Sequence, residues 1–149
     1  MVEPNPIQPN LIGSDSQHFS QLLANAFKEG KLISRKKDKI KVSYHDPCNL
    51  GRGLGIYDAP RDVLSHLDGV ELVEMKRNRE NSFCCSARSA GNYFPNFTEE
   101  NARQRIREFA ETGADLLVTC CAYCQEVFQK VMDTGKQVKD LIELVDERT

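Results

Sequence analysis

Apolar positions along the chain alternate between helical and strand-like spacing. After Ser16, Phe19, Leu22, Leu23, Ala26 and Phe27 recur three and four residues apart, the stripe of an amphipathic helix, with Gly30 placed to end it. Ile40 to Tyr44 is a short β-prone run and reads as the first buried strand. Asp58 and Pro60 open a second helix, with Val63, Leu64 and Leu67 inward and Gly69 beyond its end. Val70 to Met75 predicts a second strand, and Lys76 to Asn81 is a charged connection. Ser86 to Phe97 shows no period and reads as a loop. Thr98 is placed to cap the next helix, with Glu99 and Glu100 in its first turn and Gly113 at its end. Ala102, Ile106, Phe109 and Ala110 form that helix's expected buried stripe. Asp115 to Thr119 predicts a strand buried on both faces, followed by a helix whose stripe runs through Val127, Phe128 and Val131. Gln137 to Lys139 predicts a short fourth strand before a last helix, Leu141 to Val145.

Strands alternating with helices predict an α/β fold, a parallel sheet of three or four strands flanked by helices and joined by right-handed crossovers. The length, 149 residues, fits one domain with a core that needs no disulfides. Met1 to Gly13 carries three prolines in its first nine residues. Residues 1–15 therefore read as a lead-in or linker, and 16–149 as the domain.

Charge narrows the partners. Twenty basic against 22 acidic residues leave a net charge of −2, so no global field draws the chain to nucleic acid. The basic cluster Ser34-Arg35-Lys36-Lys37-Asp38-Lys39 reads as a solvated connection into a strand. No stretch approaches the ~20 apolar residues of a membrane span. The N-terminus shows no leader pattern, which predicts a cytoplasmic protein whose thiols stay reduced.

In that setting the six cysteines carry the chemistry. Five form the series Cys48, Cys84-Cys85, Cys121 and Cys124, with 35, 35 and 2 residues between successive positions. Thiolates are soft ligands that suit zinc or iron–sulfur clusters, and such a centre needs several converging from separate loops. Vicinal cysteines such as Cys84 and Cys85 make a poor disulfide. Cys48 and Cys121 each follow a predicted strand, and ligands in parallel sheets sit at the carboxyl ends of strands. Asp46 and Pro47 are placed to start a helix, setting Cys48 in its first turn. Gly51, Gly53 and Gly55 lack the spacing of a dinucleotide fingerprint and loosen the backbone beside the centre. Cys120, one residue before Cys121 on a strand, should face the opposite way as a core thiol. A thioredoxin-like dithiol at Cys121 and Cys124 is the rival, but Pro95 is the last proline, so no downstream cis-proline flanks it. His45 either ligates metal or moves a proton there, or it orients a ligand loop by hydrogen bonding. Arg52, Arg61 and Arg88 are candidate partners for negative charge. Solvation or helix capping suits Arg61, and Arg88, in the loop after the cysteine pair, is the strongest candidate. Tyr123 and Phe83 read as packing residues that keep water from the centre.

These residues resemble a known family. His45-Asp46-Pro47-Cys48, Tyr57-Asp58-Ala59-Pro60-Arg61, Gly69-Val70-Glu71-Leu72-Val73-Glu74-Met75, Cys84-Cys85 and Thr119-Cys120-Cys121-Ala122-Tyr123-Cys124 are similar to the cysteine-rich CCG domain. That domain occurs in heterodisulfide reductase catalytic subunits and in iron–sulfur subunits of glycolate and lactate oxidation complexes. The likeness runs from about Ser16 to the end, including the stretch Val138 to Val145. The family usually has glycine directly after the cysteine pair, whereas this chain has Ser86-Ala87-Arg88-Ser89-Ala90-Gly91. Family members often carry two such domains behind a ferredoxin-like segment, and this chain has one. The resemblance implies an iron–sulfur cluster of 4Fe-4S type on Cys48, Cys84, Cys85, Cys121 and Cys124, with His45 and Arg88 beside it. It also implies electron transfer in an oxidoreductase complex, with disulfide reduction at the cluster. Electrons would come from a ferredoxin-like or flavoprotein subunit, and a second CCG domain would be a further partner. The alternative is a non-catalytic module with zinc or a relay cluster, docking a flavin oxidase or a second CCG subunit.

Overall fold

The computed structural model describes residues 16–36, 38–87 and 93–149. The elements follow in the order α1 (Phe19–Lys28), β1 (Ile40–His45), α2 (Asp58–Ser65), β2 (Val70–Leu72), α3 (Pro95–Glu111), β3 (Leu116–Thr119), α4 (Ala122–Val131), β4 (Gln137–Asp140) and α5 (Leu141–Arg148). A π-helical turn, Asn49–Gly53, follows β1, and a 3-10 turn, Arg79–Asn81, precedes the cysteine pair. All four strands are parallel, in the order β2-β1-β3-β4. The α/β expectation is therefore met, at four strands.

Strand alternation divides the core in two. Val42, Tyr44, Leu116 and Val118 pack with Ala24 and Phe27 of α1, Val63 and Leu64 of α2, and Leu141 and Leu144 of α5. Leu117 and Val138 on the other face pack with Ala102, Ile106 and Phe109 of α3 and Phe128 and Val131 of α4. Phe109 and Phe128 are fully buried, each worth about 1.5–3 kcal/mol relative to exposure.

The chain leaves β1 through α2 towards β2, then returns through α3 to β3 on the far side of β1. The two connections run in opposite directions and cover opposite faces, as crossovers of one hand require. Connections thus diverge between β1 and β3, and their carboxyl ends form the switch point at which α/β sheets bind ligands. His45 and Thr119 are the last register pair there.

Some expectations are corrected. Helix α3 opens at Pro95, not after Thr98; the Thr98 hydroxyl instead donates to the Ser86 carbonyl across 3.2 Å. Proline is favourable there because a first-turn N–H has no helical partner, and Glu99 and Glu100 fall a turn further in. Ala110 and Leu22, expected in buried stripes, are exposed. Strand β2 ends at Leu72 rather than Met75, and Met75 is buried in the core beneath α3 and α4. His18 caps α1 in a reciprocal pair with Gln21, a role the sequence did not announce. Residues 1–15 lie outside the described residues.

Candidate metal centre

β1 ends at His45, and Asp46-Pro47 carries the chain into the turn that Cys48 leads. Asp46 does not cap that turn. Its carboxylate is gripped by Arg61, whose two terminal nitrogens donate at 2.7 and 2.9 Å, and it also accepts the Arg79 N–H at 2.8 Å. Arg61 donates further to Glu74 at 2.6 and 3.0 Å and to the Tyr57 carbonyl at 2.8 Å. It is buried, not solvated or capping. Burial opposes its charge, but the hydrogen bonds to Asp46 and Glu74 outweigh it and hold its pKa above the ordinary value. This paired charge anchors the Cys48 loop to α2 and to the segment after β2. Cys48 accordingly sits at the edge of a π-helical turn, closed by the Gly53 N–H donating to the Cys48 carbonyl at 2.9 Å, rather than in an α-helix. Gly51 leaves room for the Tyr57 ring: a Cβ there would stand 2.7 Å from it, and the ring would have to shift.

The second loop is tied to the first through Ser82, whose hydroxyl donates to the Asp46 carbonyl at 3.1 Å. Arg52 donates to the Ser82 carbonyl at 2.6 Å, so it binds backbone rather than a charged ligand. After Cys84 and Cys85, Ser86 adopts φ 60°, the left-handed region that favours glycine. This is the position where the resembled family usually has glycine. The conformation survives in a serine because Asn101 donates to its hydroxyl at 2.7 Å and Thr98 to its carbonyl. The turn also aims the Ser86 N–H at Cys84 Sγ, 3.3 Å away.

The third loop follows β3. Cys121 occupies the N-cap position of α4 in extended backbone. A thiol hydrogen bond from Cys124, and behind it the N–H groups of Cys124 and Tyr123, hold the Cys121 thiol down to about 6 against the cost of burial. Cys85 Sγ lies 3.1 Å from Cys124 Sγ, and both are free thiols. That separation is well beyond a disulfide bond of about 2.05 Å. Hydrogen bonds from Cys124 and Cys84 push the Cys85 pKa down against the cost of burial. Cys124 is pushed up by its thiol contacts with Cys121 and Cys85, between which it has one S–H to share, and by burial. Cys84 is pushed up by donating to Cys85 and by burial, with the neighbouring Cys48 adding to the rise. Cys84, Cys85, Cys124 and Cys121 thus follow one another in a run of thiol contacts, with Cys48 within electrostatic reach of Cys84, while among the described residues the tight group is His45, Cys85 and Cys124 alone.

His45 lies beneath them, fully buried, with its ring edge-on to Phe128. A ring nitrogen of His45 and the sulfurs of Cys85 and Cys124 all fall within 4.8 Å of one another. Arg105 on α3, with no exposed surface, donates from Nε to His45 Nδ1 at 3.1 Å. Its other nitrogens reach Glu108 at 2.5 Å, the Arg77 carbonyl at 2.8 Å and the Ser82 hydroxyl at 3.3 Å. Sequence reasoning missed Arg105 and Ser82. Arg105 lies between the buried Ala102 and Phe109 on α3's core side, and an arginine in that place is the one signal available.

Cys120 lies on the opposite side of the sheet, buried in the core with Tyr44 beside it. Phe83 is half-buried under the Arg77 guanidinium, 4.1 Å from its ring centre, whereas Tyr123 is 55% exposed rather than a packing residue. Arg88 lies outside the described residues.

The donor set fits a thiophilic metal centre: five sulfurs from three loops, two of them disposed to ionise, above a rigid buried hydrogen-bond network. Fold and site together define a parallel α/β module with cysteines at the topological switch point of its sheet. The model for the CCG cysteine-rich domain matches residues 42–129, and the chain belongs to that family. It is 39% identical over 149 aligned residues to a subunit of the dihydromethanophenazine:CoB–CoM heterodisulfide reductase of Methanosarcina mazei, covering 93% of this chain and 36% of that protein. It is 32% identical over 137 residues to the probable iron-sulfur-binding oxidoreductase FadF of Bacillus subtilis, covering 86% of this chain and 19% of that protein. A subunit of the fumarate reductase (CoM/CoB) of Methanothermobacter marburgensis is 29% identical over 133 residues, covering 86% and 26%. The chain spans about a third of the length of its heterodisulfide reductase relatives. Among the described residues no helix is long and apolar enough to cross a membrane.

Proposed function

We propose that this chain is an iron–sulfur redox module of a multi-subunit oxidoreductase, with Cys48, Cys84, Cys85, Cys121 and Cys124 holding a cluster of 4Fe-4S type. The observation that carries this reading is the buried pair Cys85 and Cys124, from two separate loops, at 3.1 Å and unbridged with all six cysteines free. Relatives named as iron–sulfur proteins and as heterodisulfide reductase subunits support it. Bound there, a cluster supplies one-electron chemistry. The chain's own residues do the rest. Arg61 and Asp46 fix the Cys48 loop, Ser86 sets the direction of the cysteine pair, and the α4 N–H groups favour the Cys121 thiolate.

Reduction of a substrate disulfide at this site consumes two electrons and two protons and releases two thiols. The electrons come from a partner subunit, ferredoxin-like or flavin-bearing. Leu54, Tyr93, Phe94, Phe97 and Tyr123 are exposed on the segments at the carboxyl end of the sheet, where such a partner or a second CCG domain would dock. The same surface supports the second reading, a zinc-bearing docking module. Anaerobic purification with iron, sulfide and zinc analysis separates the two: iron with acid-labile sulfide supports the redox module, and stoichiometric zinc without sulfide contradicts it.

A further inference from the structure

The cluster of His45, Cys85 and Cys124 has the composition of a three-ligand metal site, yet the residues behind it argue otherwise. Arginine has donors and no acceptor. Because Arg105 Nε donates to His45 Nδ1 at 3.1 Å, that nitrogen must present its lone pair. The imidazole proton then resides on Nε2. A metal on Nε2 would need the opposite tautomer, with the Nδ1 proton facing the Arg105 N–H, donor against donor. A doubly protonated ring fails for the same reason. Arg105 has no freedom to retreat, since Glu108, the Arg77 carbonyl and Ser82 hold its other nitrogens. His45 Nε2, buried, has no hydrogen-bond partner among the described residues, and a ring nitrogen of His45 stands within 4.8 Å of the Cys85 and Cys124 sulfurs.

We propose that His45 is not a metal ligand but a hydrogen-bond donor, its Nε2–H directed at the Cys85 and Cys124 sulfurs, with Arg105 as the positioning residue that fixes its tautomer. This inference rests on the proposed iron–sulfur centre for its redox consequence, though not for the tautomer itself. Hydrogen bonds to cluster sulfurs withdraw electron density and raise the reduction potential. Removing the donor should therefore make the centre harder to reduce without dissolving it.

The test begins with wild-type protein labelled with 15N-histidine. If iron and sulfide are present, pulsed electron paramagnetic resonance should show the weak nitrogen coupling of an N–H···S contact; coupling of ligand strength overturns the proposal. If the protein instead carries zinc, the proposed function has failed, and nuclear magnetic resonance still reads the tautomer. Unprotonated Nδ1 and protonated Nε2 uphold the Arg105 lock, and the reverse overturns it. Two variants read the consequence. His45→Leu should keep wild-type iron and sulfide while lowering the midpoint potential. The shift should be about tenfold in the oxidised-to-reduced ratio at fixed potential, or 59 mV for a one-electron couple. His45→Gln, whose amide can donate in place of Nε2–H, should recover part of that shift. Loss of iron in both variants, or an unchanged potential in His45→Leu, overturns the proposal.

Discussion

Arg61 closes both ends of its guanidinium on Asp46, two residues before Cys48, at 2.7 and 2.9 Å. One cysteine loop therefore depends on a charge carried by α2 and on Glu74 beyond β2. Breaking a buried pair from one side leaves the other charge uncompensated, at a cost of about 3–5 kcal/mol. Arg61→Met should lower the unfolding free energy by that order in denaturant titration, and should lower metal content by freeing the Cys48 loop. A stability within about 1 kcal/mol of wild type, taken as a threshold on that scale, would mean that Asp46 finds another partner.

Ser86 holds a left-handed conformation that costs a non-glycine residue about 1–2 kcal/mol, offset by its contacts with Asn101 and Thr98. Ser86→Gly exchanges strain for one lost hydrogen bond and should leave stability within about 1 kcal/mol and metal content intact. Ser86→Val adds a branched side chain where φ is positive and should destabilise by about 2–3 kcal/mol with loss of metal. Thermal unfolding and metal analysis of the two variants check this, and equal behaviour would place the strain elsewhere.

Cys121 gives the metal-free protein a pH signature. Its pKa is lowered from 9.0 to about 6 by the Cys124 thiol and the α4 N–H groups. A depressed folded pKa contributes stability that is present above the unfolded value and is lost as pH falls from 9.0 towards about 6. Alkylation of metal-free, reduced protein should therefore modify Cys121 down to about pH 6. Cys120, pushed up by burial, should stay unmodified throughout. Mass mapping of the alkylated peptides reads both. A Cys121 rate that already falls off just below the ordinary thiol pKa of 9.0 would contradict its stabilisation by the Cys124 thiol and the α4 N–H groups.

Cys120 also separates site from core. It packs against Tyr44 on the face of the sheet opposite Cys85 and Cys124. Cys120→Ala should cost about 1 kcal/mol and spare the metal. Alanine at Cys48, Cys84, Cys85, Cys121 or Cys124 should lower metal content in each case. Loss of metal in Cys120→Ala equal to that in Cys121→Ala would reverse the assignment of faces.

The strands are legible in the sequence because their apolar runs are short and sharply bounded, and the cysteine spacing announces a site at their carboxyl ends. Alternation along β3 also separates Cys120 from Cys121. What stays hidden depends on contacts distant in sequence. Arg61 reads as a surface residue because Asp46 and Glu74 lie 15 and 13 residues away, and Arg105 lies 60 residues from His45. The start of α3 is misplaced because Thr98 is a good cap by type, while its hydroxyl is committed to Ser86. Asp46 misleads in the same way, a capping residue whose carboxylate is taken by a buried arginine.

Iron-edge X-ray absorption on anaerobically purified protein tests the central claim most directly. A cluster on these five cysteines predicts a coordination shell of sulfur alone, with iron–iron scattering beyond it. A shell containing nitrogen or oxygen without iron–iron scattering would contradict it.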